Sequence, residues 1–179
     1  MVENSRHIKP EPTGYKLPKK LHGSDEGSKI IQLLLDRLKP AGPCSEYLMP
    51  LFKFTIHIKD ALNSARRTGR LVRGMEEAEK ILDAERSGIL SADMKTGSKR
   101  VERISRLIVV ANDGSSRFYR QIKKMVERNK PRVMAVELDV SSFELGEALF
   151  GPGKRALFIL VNHKDAVVNA LKSFIIQSS

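Results

Sequence analysis

The 179-residue sequence has few groups that hold metals or form disulfides. A single cysteine, Cys44, excludes an intramolecular disulfide and a cysteine-based zinc site. The four histidines, at positions 7, 22, 57 and 163, are scattered and lack metal-ligand spacing. The sequence therefore predicts neither a metal site nor a cofactor.

Long apolar runs are also missing. No run reaches the roughly 18 residues that a membrane-spanning helix needs, and residues 1–20 are too polar and proline-rich for a secretory signal. We therefore expect an intracellular protein in a reducing environment, without a membrane partner.

Positive charge is what the sequence has in excess. Lys and Arg number 32 against 21 Asp and Glu, which gives a formal net charge of +11. Residues 53–73 carry six cations against one anion, and residues 117–132 carry seven against one. Such an excess favours a polyanionic partner, because each phosphate neutralised by a cation releases counterions. We favour a nucleic acid over the alternative of a merely soluble basic protein.

The first 49 residues predict an arm, a short helix and a linker. Residues 1–27 combine proline, glycine and lysine with few apolar groups, which indicates a disordered or extended basic arm. Apolar residues recur at helical spacing in residues 28–39, and Ser28 can cap the start of this helix. We expect residues 28–49 to form this helix and a linker that starts at Pro40.

Residues 50–179 predict one α/β domain. Three apolar strands are expected at residues 106–111, 132–138 and 156–161. Helices are expected at residues 50–67, from Met75 onward, and at residues 116–129, 141–149 and 164–174, with a brief strand at residues 71–73 and a basic loop insertion at residues 86–103. Because strands alternate with helices, we predict a three-layer α/β/α sandwich with a mixed central sheet.

Three segments of this domain carry a family resemblance. They are LVRGMEEAEK at residues 71–80, RLIVVANDGSS at residues 106–116 and FELGEAL at residues 143–149. Their order and spacing resemble the kink-turn-binding ribosomal-protein superfamily of the archaeal L-seven-Ae and L-thirty-e type. The first segment resembles its basic-Gly-x-Asn-Glu-x-x-Lys signature, and the third resembles its Leu-Gly-x-Ala motif.

The resemblance implies RNA binding at the helix start that follows Gly74. A glycine lets an RNA backbone come close, and the first helical N–H groups favour phosphate. Carried over by position, the family's RNA contacts fall on Gly74, Glu76, Glu77 and Lys80 and on the loop residues Gly151, Pro152, Gly153, Lys154 and Arg155. Arg70 and Arg73 lie nearest to Gly74 and are the candidate phosphate contacts.

One position departs from the family signature. Glu76 stands where the family has an asparagine, and a carboxylate accepts hydrogen bonds but donates none. This departure favours a subunit that depends on protein partners. The alternative explanation of Glu76 is an acidic first turn that stabilises the helix.

The leading segments resemble one branch of the superfamily. Tyr15-Lys16-Leu17-Pro18 and Lys39-Pro40-Ala41-Gly42 are similar to the start of the Pop-three family, subunits of nuclear RNase P and RNase MRP. This implies a non-catalytic subunit in the nucleus and nucleolus that acts with other protein subunits in tRNA 5′ processing and pre-rRNA processing. A small nucleolar H/ACA protein and a small-subunit ribosomal protein, which residues 61–74 resemble, are the alternatives.

Other classes of function have less support in the sequence. Residues 112–116 (NDGSS) lie between a strand and a helix, as phosphate loops do, but lack the Walker pattern and repeated glycines. The ordinary role of Asp113 or Ser116 there is a helix cap. An accessory domain of an RNA-modifying enzyme remains an alternative, as does a protein-interaction module that docks through residues 30–38 and 174–176.

Overall fold

Six helices and six strands make up the described part of the chain, which covers residues 15–98 and 102–176 of a computed structural model. In chain order they are α1 Asp25–Asp36, β1 Leu38–Ala41, β2 Cys44–Lys53, α2 Ile56–Arg67, β3 Leu71–Arg73, α3 Met75–Thr96, β4 Arg106–Val110, α4 Ser116–Arg128, β5 Val133–Asp139, α5 Ser142–Phe150, β6 Phe158–Val161 and α6 Lys164–Ile176. No helix within these two ranges has the length and apolar character needed to cross a membrane.

The strands form one mixed sheet in the order β1-β2-β5-β4-β6-β3. Strands β2, β5 and β4 run parallel, whereas β6 is antiparallel to both β4 and β3. Strands β4 and β5 occupy the middle, where both faces are covered, and this explains their nearly unbroken apolar sequences.

Helices cover both faces of the sheet. Buried side chains of α1, α2, α5 and α6 form one apolar cluster, and those of α3 and α4 form a second cluster on the other face. In the first cluster, Phe52 of β2 stacks on Phe174 of α6 with ring centres 4.3 Å apart. The predicted three-layer α/β/α sandwich with a mixed sheet is therefore confirmed.

The N-terminal segment differs from the prediction of an arm. Leu17 and Leu21 are buried in the first apolar cluster, and the Lys16 carbonyl accepts a hydrogen bond from Ile104 N at 2.7 Å. Helix α1 begins at Asp25 and is capped by Ser24, so the predicted cap at Ser28 is wrong. The predicted arm is wrong for residues 15–27, and residues 1–14 of it lie outside the described residues.

The position of α1 also argues against the alternative in which this helix docks onto another protein. Ile30 and Leu34 of α1 and Phe174 of α6 are buried in the chain's own first apolar cluster. The apolar face of α1 and Phe174 therefore supply core contacts within this domain, whereas Ile176 at the end of α6 is 47% exposed.

The predicted linker before residue 50 is a β-hairpin. Strands β1 and β2 pair antiparallel around a turn at Gly42, whose φ is +48°. Because Leu51 to Lys53 also pair with β5, they cannot belong to a helix, and α2 begins only at Ile56. The predicted helix start at Pro50 is wrong, and residue 50 lies inside a strand of the central sheet.

Helix α3 is longer than predicted. It continues through residues 86–96, which were predicted as a loop, and ends at Gly97 in the left-handed conformation. Only Ala78 and Leu82 of this 22-residue helix are buried, so its second half lacks the apolar stripe that would reveal a helix. Residues 99–101 of the predicted insertion lie outside the described residues.

The caps of the later helices are partly as predicted. Ser141 caps α5 by accepting a hydrogen bond from Glu144 N at 3.1 Å, as the capping-box pattern Ser141-Ser142-x-Glu144 predicts. Helix α4 is capped by Ser115, so the predicted caps Asp113 and Ser116 are wrong for that helix. The Asp113 carboxylate instead accepts hydrogen bonds from the N–H and hydroxyl of Ser142, at 3.0 and 2.8 Å, and so joins the start of α5 to the loop after β4.

Candidate nucleic-acid interface

The start of α3 and the loop before β6 meet at one edge of the sheet. Strand β3 pairs antiparallel with β6, with Arg73 opposite Ile159. The Gly74 N–H, just after β3, donates to the Phe158 carbonyl at 3.2 Å. Gly74 has a φ of +99°, a conformation that favours glycine, and it turns the chain from β3 into α3.

Two arginines and two phenylalanines are interleaved at this edge. The Arg73 guanidinium carbon lies 5.0 Å from the centre of the Phe150 ring, and Arg73 Nη2 donates a hydrogen bond to the Arg155 carbonyl. The Arg155 guanidinium carbon lies 5.9 Å from the centre of the Phe143 ring. We call Arg73, Phe143, Phe150 and Arg155 the arginine–phenylalanine cluster.

The cluster presents chemistry that suits RNA. Arg73 and Arg155 are exposed and can donate to phosphate oxygens through their planar forks. Phe143 is 44% exposed, and unpaired RNA bases stack on such aromatic rings and on guanidinium planes. Phosphate binding and base stacking are thus available within a few ångströms of each other.

Gly146 fixes the loop that carries Arg155. A Cβ at this buried glycine would come within 2.2 Å of the Lys154 carbonyl oxygen and 2.5 Å of Arg155 Cα. The loop is also tied to α5 by a hydrogen bond from Gly153 N to Glu147 Oε1 at 3.3 Å. The glycine of the Leu-Gly-x-Ala motif therefore permits close packing of the loop on α5.

The structure brings together only part of the predicted site. Arg73, Gly74 and the loop Gly151, Pro152, Gly153, Lys154 and Arg155 share one edge. Arg70 lies at the other end of β3, where its carbonyl accepts a hydrogen bond from Asn162 N at 2.8 Å. Since an extended chain rises about 3.3 Å per residue, Arg70 and Arg73 are separated by roughly 10 Å along the strand.

The acidic residues at the start of α3 lie beside the cluster. Glu76 and Glu77 are exposed in the first helical turn. Glu76 forms an ion pair of 3.7 Å with Lys80, one turn further along the same helix. The Gly74 N–H is already hydrogen-bonded to the Phe158 carbonyl, and the carboxylates of Glu76 and Glu77 follow it. Phosphate is therefore attracted more strongly to the loop of residues 151–155 than to the start of α3.

Phe143 and Phe150 were not predicted as site residues. They lie seven positions apart on α5 and therefore share one face of the helix. That spacing was a usable signal in the sequence. Their pairing with Arg73 and Arg155 was not, because it depends on β3 lying beside β6.

The buried carboxyl group of Glu137 lies where the β1–β2 turn packs against α4. Glu137 of β5 is only 3% exposed, and burial raises the pKa of its carboxyl group, while the Gly42 N–H and the Tyr119 hydroxyl oppose the rise. Burial also raises the pKa of Tyr119. These polar groups hold the β1–β2 turn against α4 and are separate from the arginine–phenylalanine cluster.

Within residues 15–98 and 102–176, no group of three or more His, Cys, Asp or Glu side chains is arranged to hold a metal ion. The described cavities lie elsewhere than the cluster. The one of about 690 Å³ lies between the second half of α3 and the residues joining α4 to β5. Arg73, Arg155 and Phe143 are exposed, so the candidate interface is an open surface, which suits a macromolecule better than a small ligand.

Comparison with protein-family models finds no match, and comparison with curated proteins finds none either. Among solved structures, the chain is similar to a protein of unknown function from Bacillus halodurans C, with a TM-score of 0.48 and 15% identity over 68% of this chain and 99% of that chain. It is also similar to the Giardia lamblia 15.5kD RNA binding protein, with a TM-score of 0.46 and 14% identity over 68% of this chain and 84% of that chain. At these TM-scores neither similarity bears on the function of this chain.

Proposed function

We propose that this chain is an RNA-binding protein that binds structured RNA through the arginine–phenylalanine cluster. The observation that carries the proposal is the position of the Arg73 guanidinium over the Phe150 ring and of the Arg155 guanidinium over the Phe143 ring, where α3 begins. Arginine binds phosphate in a fixed orientation when its plane is held, and an exposed ring accepts an unstacked base.

The overall charge supports a nucleic acid as the partner. A formal net charge of +11 attracts a polyanion over long distances and makes its binding depend on salt. The acidic first turn of α3 limits phosphate contact on that side of Gly74. Binding by this cluster alone is therefore expected to be modest and to be strengthened by other contacts in a ribonucleoprotein.

The finer proposal is a non-catalytic subunit of nuclear RNase P and RNase MRP, acting in tRNA 5′ processing and pre-rRNA processing in the nucleus and nucleolus. It rests on the resemblance of residues 15–18 and 39–42 to the Pop-three family. Purification of the protein from its native cells, followed by sequencing of bound RNA, tests it. Recovery of RNase P and MRP RNAs supports this assignment, whereas recovery of pseudouridylation guides or of ribosomal RNA alone contradicts it.

Substitution of Arg73 tests the cluster directly. We expect Arg73→Glu to weaken binding of a labelled RNA duplex interrupted by an internal loop. The salt dependence should also flatten, by about 0.7 to 0.9 in slope for each phosphate that the protein no longer neutralises. Fluorescence anisotropy across a salt titration measures both effects. Arg70→Glu is the matched control, because it makes the same change of charge just before β3, at the opposite end of that strand from Arg73.

An equally large fall in affinity in the two variants would mean that net charge, and not the cluster, sets the affinity. Unchanged binding by Arg73→Glu would remove this edge from the interface. No labelled RNA bound by the wild-type protein would contradict RNA binding itself.

A further inference from the structure

Helix α4 has one buried face and one cationic face. The buried face consists of Phe118, Tyr119, Ile122, Met125 and Val126. On the other side, exposed cations occupy positions 117, 120 and 124. At about 100° per residue, these three positions fall within an arc of roughly 60° and form one row along the helix.

The row has no acidic partners in the part of the chain that the structure describes. Within residues 15–98 and 102–176, no carboxylate forms an ion pair with Arg117, Arg120 or Lys124. The next cation along this face, Arg128, is paired with Glu79 at 3.4 Å and with Asp83 of α3 at 3.7 Å. Like charges three and four residues apart on a helix repel each other, so the row costs stability unless an anion covers it.

The row is rigidly mounted. The Tyr119 hydroxyl accepts a hydrogen bond from Gly114 N at 3.2 Å, which ties α4 to the loop that precedes it. The Tyr119 ring packs against Gly42 so closely that a Cβ there would come within 2.2 Å of it. The backbone positions of the three cations are therefore fixed relative to the sheet, so the helix itself need not be ordered when a partner binds.

The row starts at the end of the sheet that carries the arginine–phenylalanine cluster. Strands β3 and β4 are both antiparallel to β6, so they run parallel to each other and have their carboxyl ends at the same end of the sheet. Helix α3 starts after β3 and α4 starts after β4, and the two helices lie on one face of the sheet, joined by the Arg128 ion pairs. The start of α4, with Arg117, therefore lies at the same end of the sheet as the cluster.

We propose that Arg117, Arg120 and Lys124 form a second RNA contact, which binds the phosphate backbone that flanks the element held at the arginine–phenylalanine cluster. This inference rests on the proposed function. Positions 117, 120, 121 and 124 carry no apolar side chain, and binding sites for proteins are built around buried aromatic and aliphatic anchors. A polyanion is thus favoured over a protein partner for this face.

Neutralisation of the row tests the inference. The triple variant Arg117→Gln, Arg120→Gln, Lys124→Gln is compared with the control Lys29→Gln, Arg67→Gln, Lys172→Gln, which removes the same charge from exposed positions on α1, α2 and α6. Glutamine keeps the helix propensity close to that of lysine and arginine, and circular dichroism of both variants checks that they are folded. The probe is the labelled RNA duplex with an internal loop and an additional single-stranded flank.

We expect the α4 variant to bind about tenfold more weakly at moderate salt and to show a slope of log K against log salt that is shallower by about 2 to 3, as for three phosphates. The control variant should keep the wild-type slope. Equal weakening in the two variants, or an unchanged slope in the α4 variant, would overturn the inference. If the α4 variant keeps its RNA affinity but no longer co-purifies with a protein partner, the face belongs to that protein.

The outcome also separates the two proposals. Weaker binding by Arg73→Glu together with unchanged binding by the α4 variant leaves RNA binding at the cluster intact and removes only the second contact. Failure of the wild-type protein to bind the probe at any salt concentration contradicts the proposed function, and the second contact with it.

Discussion

At the candidate interface, Gly146 matters because it has no side chain. Gly146 has no side chain where the loop of residues 151–155 crosses α5, and its neighbours leave no room for a Cβ. The position of Arg155, and through it the contact with Arg73, depends on this absence.

We therefore expect Gly146→Ala to destabilise the protein by about 1 to 3 kcal/mol, the usual cost of an overpacked site, and to weaken RNA binding by moving the loop. Gly88→Ala is the matched control. Gly88 lies within α3 with nothing near its would-be Cβ, so alanine there should stabilise by about 0.5 to 1 kcal/mol. Urea denaturation measures both changes, and a neutral Gly146→Ala would show that the loop can move away freely.

At the scale of elements, the first helix shows how a cap locates a boundary. Ser24 Oγ accepts a hydrogen bond from Gly27 N at 2.9 Å and donates one to the Leu21 carbonyl at 2.7 Å. These bonds join α1 to a preceding turn whose Leu21 is fully buried. The helix is thus attached to the domain from its first residue.

Ser24→Ala should cost about 1 kcal/mol of unfolding free energy, because it removes the helix cap. Ser28→Ala should change the free energy of unfolding little, since Ser28 is exposed within α1. Thermal unfolding followed by circular dichroism compares the two alanine variants. A larger effect at Ser28 would place the helix start where the sequence pattern had put it.

For the whole molecule, a buried carboxyl group couples stability to pH. Glu137 is covered by the sheet, by the β1–β2 turn and by Tyr119 of α4, so its pKa in the folded protein is raised mainly by burial. A group whose pKa is raised on folding contributes stability that is fully present below its unfolded pKa and is lost as the pH rises through its folded pKa.

Glu137→Gln should remove this pH dependence, because the amide can still accept a hydrogen bond from the Gly42 N–H without carrying charge. We expect the melting temperature of the variant, relative to that of the wild type, to increase as the pH is raised from about 4, near the ordinary glutamate pKa, to about 8. Glu144→Gln, at an exposed position of α5, is the control for the removal of one carboxylate. A constant difference at every pH would contradict the assignment to Glu137.

Much of the fold was predictable because its central elements have local signals. The strands at β4, β5 and β6 are short apolar runs bounded by turn residues, and the Ser141 cap and the brief strand β3 are also local patterns. Their lengths and order were enough for the α/β/α sandwich. The candidate site was predictable as two segments, Gly74 with its neighbours and residues 151–155, that had to meet somewhere.

Only the tertiary structure decided the rest, because pairing between distant segments has no local pattern. The partner strand β5 makes residues 51–53 a strand, and the core makes Leu17 and Leu21 part of the domain. The pairing of β3 with β6 places Arg73 beside Arg155 and leaves Arg70 at the opposite end of β3. The sequence by itself determined the basic charge, the central strands and the motif around Gly74, whereas the arginine–phenylalanine cluster and the row on α4 depend on how the sheet is assembled.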